Sequence, residues 1–207
     1  MPIALGCECI WLDDGRGTIF GMKKLILSTG NADKLFTAQQ VCKKHGIEIV
    51  QRNLDILEIQ DENPEKVAMD KAMKAYLRVN EPVLISDDSW AFLGLNGFPG
   101  VYMHSMNEWF TPEDFLRLVL PLEDRRAIFT QYLVYDDGNT QKVFTHQSKA
   151  TLLKEIRGTA KHPSHTVISM DKDKGKSIAE VIEHRVNNAD HDAAIVWNEF
   201  AQWYKET

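Results

Sequence analysis

The run Pro82-Val83-Leu84-Ile85-Ser86-Asp87-Asp88-Ser89 constrains this chain more than any other stretch. A short apolar strand, Val83 to Ile85, leads straight into two adjacent carboxylates and a hydroxyl. A strand that ends in this way sets acidic groups at the carboxyl edge of a sheet, where open α/β folds bind ligands. Neighbouring carboxylates repel, so such a pair needs a cation nearby or one protonated member. Hard oxygen ligands suit Mg²⁺, which takes one or two carboxylates together with substrate phosphates. The competing reading is a solvated Asp-Asp-Ser turn.

The segments before this run repeat one logic. Leu25-Ile26-Leu27 reads as a strand, followed by Ser28-Thr29-Gly30-Asn31-Ala32-Asp33-Lys34 and an amphipathic helix over Leu35–His45. A strand–loop–helix unit of this kind offers hydroxyls, free backbone N–H groups and the positive end of a helix dipole to a phosphate. Lys34 adds a point charge. An ordinary capped turn is the competing reading, because the Walker A pattern is absent. Ile47–Val50 reads as the next strand. Glu58 lies in the connection behind it, and a helix starts at Pro64 and runs to about Arg78, carrying Lys71 and Lys74.

The second half alternates differently. Thr111 and Pro112 begin a helix as N-cap and first residue. Ala127, Phe129, Gln131, Leu133 and Tyr135 alternate along a strand from Arg126 to Tyr135, and Asp136-Asp137-Gly138-Asn139 turns it into a second strand over Gln141–Gln147, continued through Ser148–Ile156. Thr166–Met170 is extended, Ser177-Ile178-Ala179-Glu180 is a capping box, and an amphipathic helix closes the chain from about Asp190 to Tyr204. A βαβα half followed by an antiparallel meander predicts a mixed α/β fold. Residues 1–21 read as a poorly ordered extension, with a short edge strand over Cys9–Leu12 as the alternative. Residues 22–207 then form a single domain.

Composition excludes several classes. A net charge of -6 argues against a general nucleic-acid or membrane-surface binder. Three cysteines, unevenly placed, make no disulfide framework and no zinc site, which fits a reducing cytoplasm. No apolar run approaches the ~20 residues needed to span a bilayer, and the N-terminus does not read as a signal peptide. The histidines at 162, 165, 184 and 191 match no zinc spacing.

Four segments together resemble the inosine triphosphate pyrophosphatase family. Thr29-Gly30-Asn31-Ala32-Asp33-Lys34 is similar to its Thr-x-Asn-x-x-Lys phosphate loop. Asp87-Asp88-Ser89 with Leu95-Asn96-Gly97-Phe98-Pro99-Gly100-Val101-Tyr102 resembles its central signature. Glu58 and Lys71 fall at its metal-binding glutamate and phosphate-binding helix lysine, and Ser177-Ile178-Ala179-Glu180 resembles its Thr-x-Ala-Glu helix start. The resemblance implies a long twisted mixed sheet with flanking helices, two lobes with a cleft between them, and a homodimer. It also implies Mg²⁺-dependent hydrolysis of non-standard purine nucleoside triphosphates to monophosphate and pyrophosphate.

Carried onto this chain, Glu58, Asp87 and Asp88 hold the metal, and Asp88, Asp87 and Lys34 are catalytic. Ser28, Thr29, Asn31, Lys34, Lys71, Ser89, Arg157, His162, His165 and His191 bind substrate. The chain departs from the family where the base is read. His162-Pro163-Ser164-His165 stands for Phe-Gly-Tyr/Trp-Asp, Asp190-His191-Asp192 for Ser-His-Arg, and Trp90 for the glycine after Asp-Asp-Ser. Trp90 is expected to pack in the core. These departures leave a second expectation open, a catalytically weak nucleotide-binding or interaction protein.

Overall fold

Long runs of buried aliphatic side chains build the fold around one sheet. The computed structural model describes residues 10–13, 19–184 and 193–207. Its strands are β1 (Ile10–Asp13), β2 (Ile19–Ser28), β3 (Ile47–Gln51), β4 (Val83–Phe92), β5 (Pro99–Gly100), β6 (Arg126–Asp136), β7 (Gln141–Leu152) and β8 (Ile168–Met170). Its helices are α1 (Ala32–Lys43), α2 (Pro64–Val79), α3 (Met103–Trp109), α4 (Pro112–Val119), α5 (Ile178–Glu183) and α6 (Ala193–Glu206). The main path through the mixed sheet is β1-β2-β4-β6-β7-β8, with β3 on β2 and β5 on β4. β2 runs parallel to β3 and β4, while β4, β6, β7 and β8 are antiparallel in succession. Ile10–Asp13 pairs with the first residues of β2, Ile10 opposite Met22.

The apolar side chains collect in three groups. α1 and α6 cover one face of the sheet through Val41, Trp197 and Phe200, against Leu84, Leu133 and Phe144. α2 covers the opposite face with Ala68, Ala72 and Ala75 against Val83, Ile85 and Val134. The far ends of β4, β6 and β7 carry a separate core of Trp90, Phe92, Ala127, Ala150 and Leu152, closed by Phe115 and Val119 of α4 and by Met103 and Met106 of α3. These groups form the two lobes.

Several boundaries differ from the sequence reading for local reasons. β4 does not stop at Ile85, because β6 pairs with all of it, from Val83 opposite Asp136 to Phe92 opposite Ala127. The carboxylates are therefore inside a strand rather than in a turn after one. α1 begins at Ala32, ahead of the expected Leu35, because the Asn31 side chain accepts from the amides of Asp33 and Lys34 at 2.9 and 3.2 Å. β7 ends at Leu152, where Arg125 takes the carbonyls of Leu152 and Leu153. α3 was not anticipated; it buries Met103 and Met106 on one side. The Thr111 cap of α4 and the Ser177 cap of α5 are both complete capping boxes, with Asp114 and Glu180 as reciprocal partners.

Candidate active site

The site follows from an interruption in strand pairing. One edge of β4 is fully occupied by β6. On its other edge β2 pairs only with Val83–Ile85 and β5 only with Trp90 and Ala91. Ser86–Ser89 are thus left open between the end of a parallel neighbour and the start of an antiparallel one. Backbone groups without a strand partner must find others, and the Lys34 ammonium supplies one by donating to the Ser86 carbonyl at 3.1 Å. Parallel pairing stops at Ser28, so the chain leaves β2 at this gap, and the Ser28–Lys34 loop lies against the carboxylates.

Alternation along β4 then separates the two acids. Asp88 shares a face with Leu84 and is bound by α1: Lys34 Nζ is 2.8 Å from Asp88 Oδ2. Asp87 shares a face with Ile85 and meets α2, with Lys71 Nζ at 3.6 Å. The same Lys71 is 2.5 Å from Glu58 Oε1. Burial alone would lower the Lys71 pKa, but Asp87 and Glu58 outweigh it and hold it above the ordinary lysine value. Each carboxylate of the pair therefore has its own ammonium, which removes the repulsion expected of adjacent acids. Asp87 Oδ1 also accepts the Asp88 amide at 3.0 Å.

The remaining expected residues divide into two sets. In the loop, Ser28 Oγ accepts the Leu54 amide at 3.4 Å and Thr29 Oγ1 accepts the Asn31 amide at 3.0 Å. Ser89 is buried beside Tyr132, to which it is hydrogen-bonded; burial leads the causes that raise the Tyr132 phenol. Glu58, Val67, Asp87, Asp88, Val101 and Tyr132 line a small cleft. Tyr132 gave no signal in the sequence, where it was one more residue of an alternating strand.

The second set lies in the other lobe. Arg157 bonds Glu155 and the Gly175 carbonyl, both at 2.8 Å, while its own carbonyl accepts Ser177 Oγ at 2.9 Å. It thereby pins the start of α5. His162 and His165 stand edge to face at 5.1 Å, His162 just before and His165 within a single-turn helix over Pro163–Thr166. Burial and then the His162 charge push His165 down to about 4. Burial, Lys161 and His104 lower His162 against the pull of Glu108. Both rings are consequently neutral near pH 7, able to stack and to hydrogen-bond in either sense. His191 lies outside the described residues. Trp90 is 7% exposed and packs on Phe129 at 4.8 Å between centroids, in the core.

The donor set fits a hard divalent cation in one respect. Asp88 Oδ1 is buried with no hydrogen-bond partner among the described residues, an acceptor suited to a cation or a donor. Glu58 and Asp87 are drawn to Lys71, and among the described residues no three acidic, histidine or cysteine side chains converge as a preformed metal centre. Mg²⁺ does not require one, since phosphates complete its shell.

A dITP/XTP pyrophosphatase of Methanopyrus kandleri is 28% identical over 184 residues, covering 88% of this chain and 96% of that protein. An inosine triphosphate pyrophosphatase of Yarrowia lipolytica is 31% identical over 123 residues, 59% of this chain and 65% of that protein. Among solved structures, a HAM1 protein from Coxiella burnetii superposes with a TM-score of 0.71 at 18% identity, covering 89% of this chain and 99% of that one. The family profile described as Ham1 matches residues 25–196. The chain belongs to the Ham1 family.

Proposed function

We propose that this protein is a Mg²⁺-dependent nucleoside triphosphate pyrophosphatase that hydrolyses non-standard purine triphosphates of the ITP, dITP and XTP type to monophosphate and pyrophosphate. The observation that carries this reading is the gap in β4, where two lysines from opposite sides bracket two adjacent carboxylates beneath a loop that opens a helix. Lys34 and Lys71 supply positive charge to a polyphosphate, and the Ser28–Lys34 loop adds hydroxyls and the α1 dipole. The free Asp88 Oδ1 orients the attacking water and accepts its proton. The water oxygen bonds the α-phosphorus, the bond to the bridging oxygen breaks, and pyrophosphate leaves. Mg²⁺ would be held by Glu58 and Asp87 together with substrate phosphates, with Asp88 beside it, and would supply charge stabilisation on the phosphate oxygens.

Base selectivity falls to His162 and His165. Their neutral rings offer a stacking surface and hydrogen bonds in place of the family's aromatic and acid. We also infer a homodimer, as the family resemblance implies, and a cytoplasmic setting, as the sparse cysteines suggest.

A second reading is a nucleotide-binding protein with little turnover, favoured by the pairing of the carboxylates with lysines instead of with one another. Pyrophosphate release across ITP, XTP, their deoxy forms, the common four triphosphates and modified pyrimidine triphosphates, with and without Mg²⁺, separates the two. Mg²⁺-dependent release from ITP or XTP is the expected result. Release from another triphosphate alone means that the histidine pair re-specified the site. Tight binding without release supports the second reading.

A further inference from the structure

The face of the sheet that carries Asp88 holds a polar row between two apolar cores. Along β4 the order on this face is Leu84, Ser86, Asp88, Trp90. Along β6 it is Leu133, Gln131, Phe129, and along β7 Phe144, His146, Ser148. Leu84, Leu133 and Phe144 belong to the core under α1 and α6, whereas Trp90 and Phe129 belong to that of the other lobe. Asp88 is paired with Gln131, and Gln131 with His146, so the row forms a polar floor where the lobes meet.

Gln131 is only 8% exposed, and its Oε1 is buried with no hydrogen-bond partner among the described residues. Asp88 Oδ1, on the directly opposing residue, is in the same condition. Register partners on one face have Cβ atoms roughly 5 Å apart. Two donorless buried acceptors side by side are costly unless something in the working state donates to both. Lys34 does not fill that role, because its ammonium is committed to Asp88 Oδ2 and the Ser86 carbonyl.

We propose that Gln131 is a catalytic residue that, with Asp88, holds the attacking water. A water molecule has two protons to give. With one on Gln131 Oε1 and the other on Asp88 Oδ1, its two lone pairs are directed away from both acceptors. On attack, the proton facing Asp88 transfers to that carboxylate, while the amide of Gln131 only accepts a hydrogen bond and is unchanged. This inference rests on the hydrolytic reading above. It adds a residue that a purely phosphate-binding site would not need.

The test is Gln131→Met, which keeps the length and most of the volume of the side chain but removes the acceptor. kcat, KM and the thermal unfolding midpoint are measured for wild type and variant, using whichever triphosphate of the panel the wild type turns over fastest. The expected result is a fall in kcat of about 10- to 100-fold, the cost of a misplaced reactant, with KM within twofold and an unfolding midpoint equal or higher. A merely structural glutamine predicts the reverse pattern, lower stability with kcat retained. The inference is overturned by kcat within twofold of wild type, by a change confined to KM, or by a loss of kcat that accompanies a lower midpoint. A wild type inert on the whole panel overturns the hydrolytic reading itself, and this inference with it.

Discussion

Asp88→Asn separates catalysis from folding, because the substitution keeps shape and removes charge. In the folded chain Asp88 Oδ2 lies 2.8 Å from the Lys34 ammonium, with the two side chains 27% and 22% exposed. A charge-assisted hydrogen bond of this kind contributes about 1.5–3 kcal/mol when desolvated, and partial exposure reduces that. Lys34 also keeps its bond to the Ser86 carbonyl. The stability loss is therefore about 1–2 kcal/mol, which lowers the unfolding midpoint by roughly 2–8 °C in a protein of this size. Against a typical total of about 5–15 kcal/mol the variant stays folded at 25 °C. Catalysis suffers far more. Removing a positioned general base costs on the order of 10²–10⁴ in rate, or about 3–5 kcal/mol of barrier. Pyrophosphate release is measured on protein whose circular dichroism matches wild type. Turnover within threefold of wild type would sink the role given to Asp88, and an unfolded variant would show that the ion pair was undervalued.

Two further outcomes follow from the second half of the chain. Gly138 holds φ +84° in the β6–β7 turn, and a Cβ there would lie 2.3–2.4 Å from the Tyr76 ring and hydroxyl. Gly138→Ala is expected to lose about 2–3 kcal/mol from backbone strain and displacement of Tyr76, so an unfolding midpoint within 1 °C of wild type would refute this. His165 is held near 4 in the fold against about 6.5 unfolded. Its neutral form is favoured by folding, so its contribution is complete above pH 6.5 and is lost as pH falls towards 4. At pH 4.5 the loss is about 2–3 kcal/mol. Denaturant midpoints of His165→Gln should fall less between pH 7 and 4.5 than those of wild type; parallel curves would contradict the burial argument.

Much of the architecture is legible in the sequence, because it depends on local chemistry. Asn31 before a helix, Pro64 and Pro112 at first helical positions, and Ser177 with Glu180 are signals that act within one turn. The alternation along β6 and the Asp-Gly turn after it define a hairpin for the same reason. Asp87-Asp88-Ser89 announced a site by its order after an apolar strand. α3 carried no such signal, since two buried methionines among polar residues do not make a readable period.

What the sequence alone determined is most of the elements, α3 and β5 aside, their order, and the presence of acids and lysines that suit a polyphosphate. The placement of those groups depended on pairing between segments distant in the chain. β6 carries β4 past Ile85, and β2 leaves it there, so the two neighbouring carboxylates point to opposite faces and meet lysines from different helices. Gln131 shows the same division. In the sequence it is one polar residue in an apolar register, and only the β4–β6 pairing sets it beside Asp88, because strand register is decided by the packing of whole faces and not by any short stretch of chain.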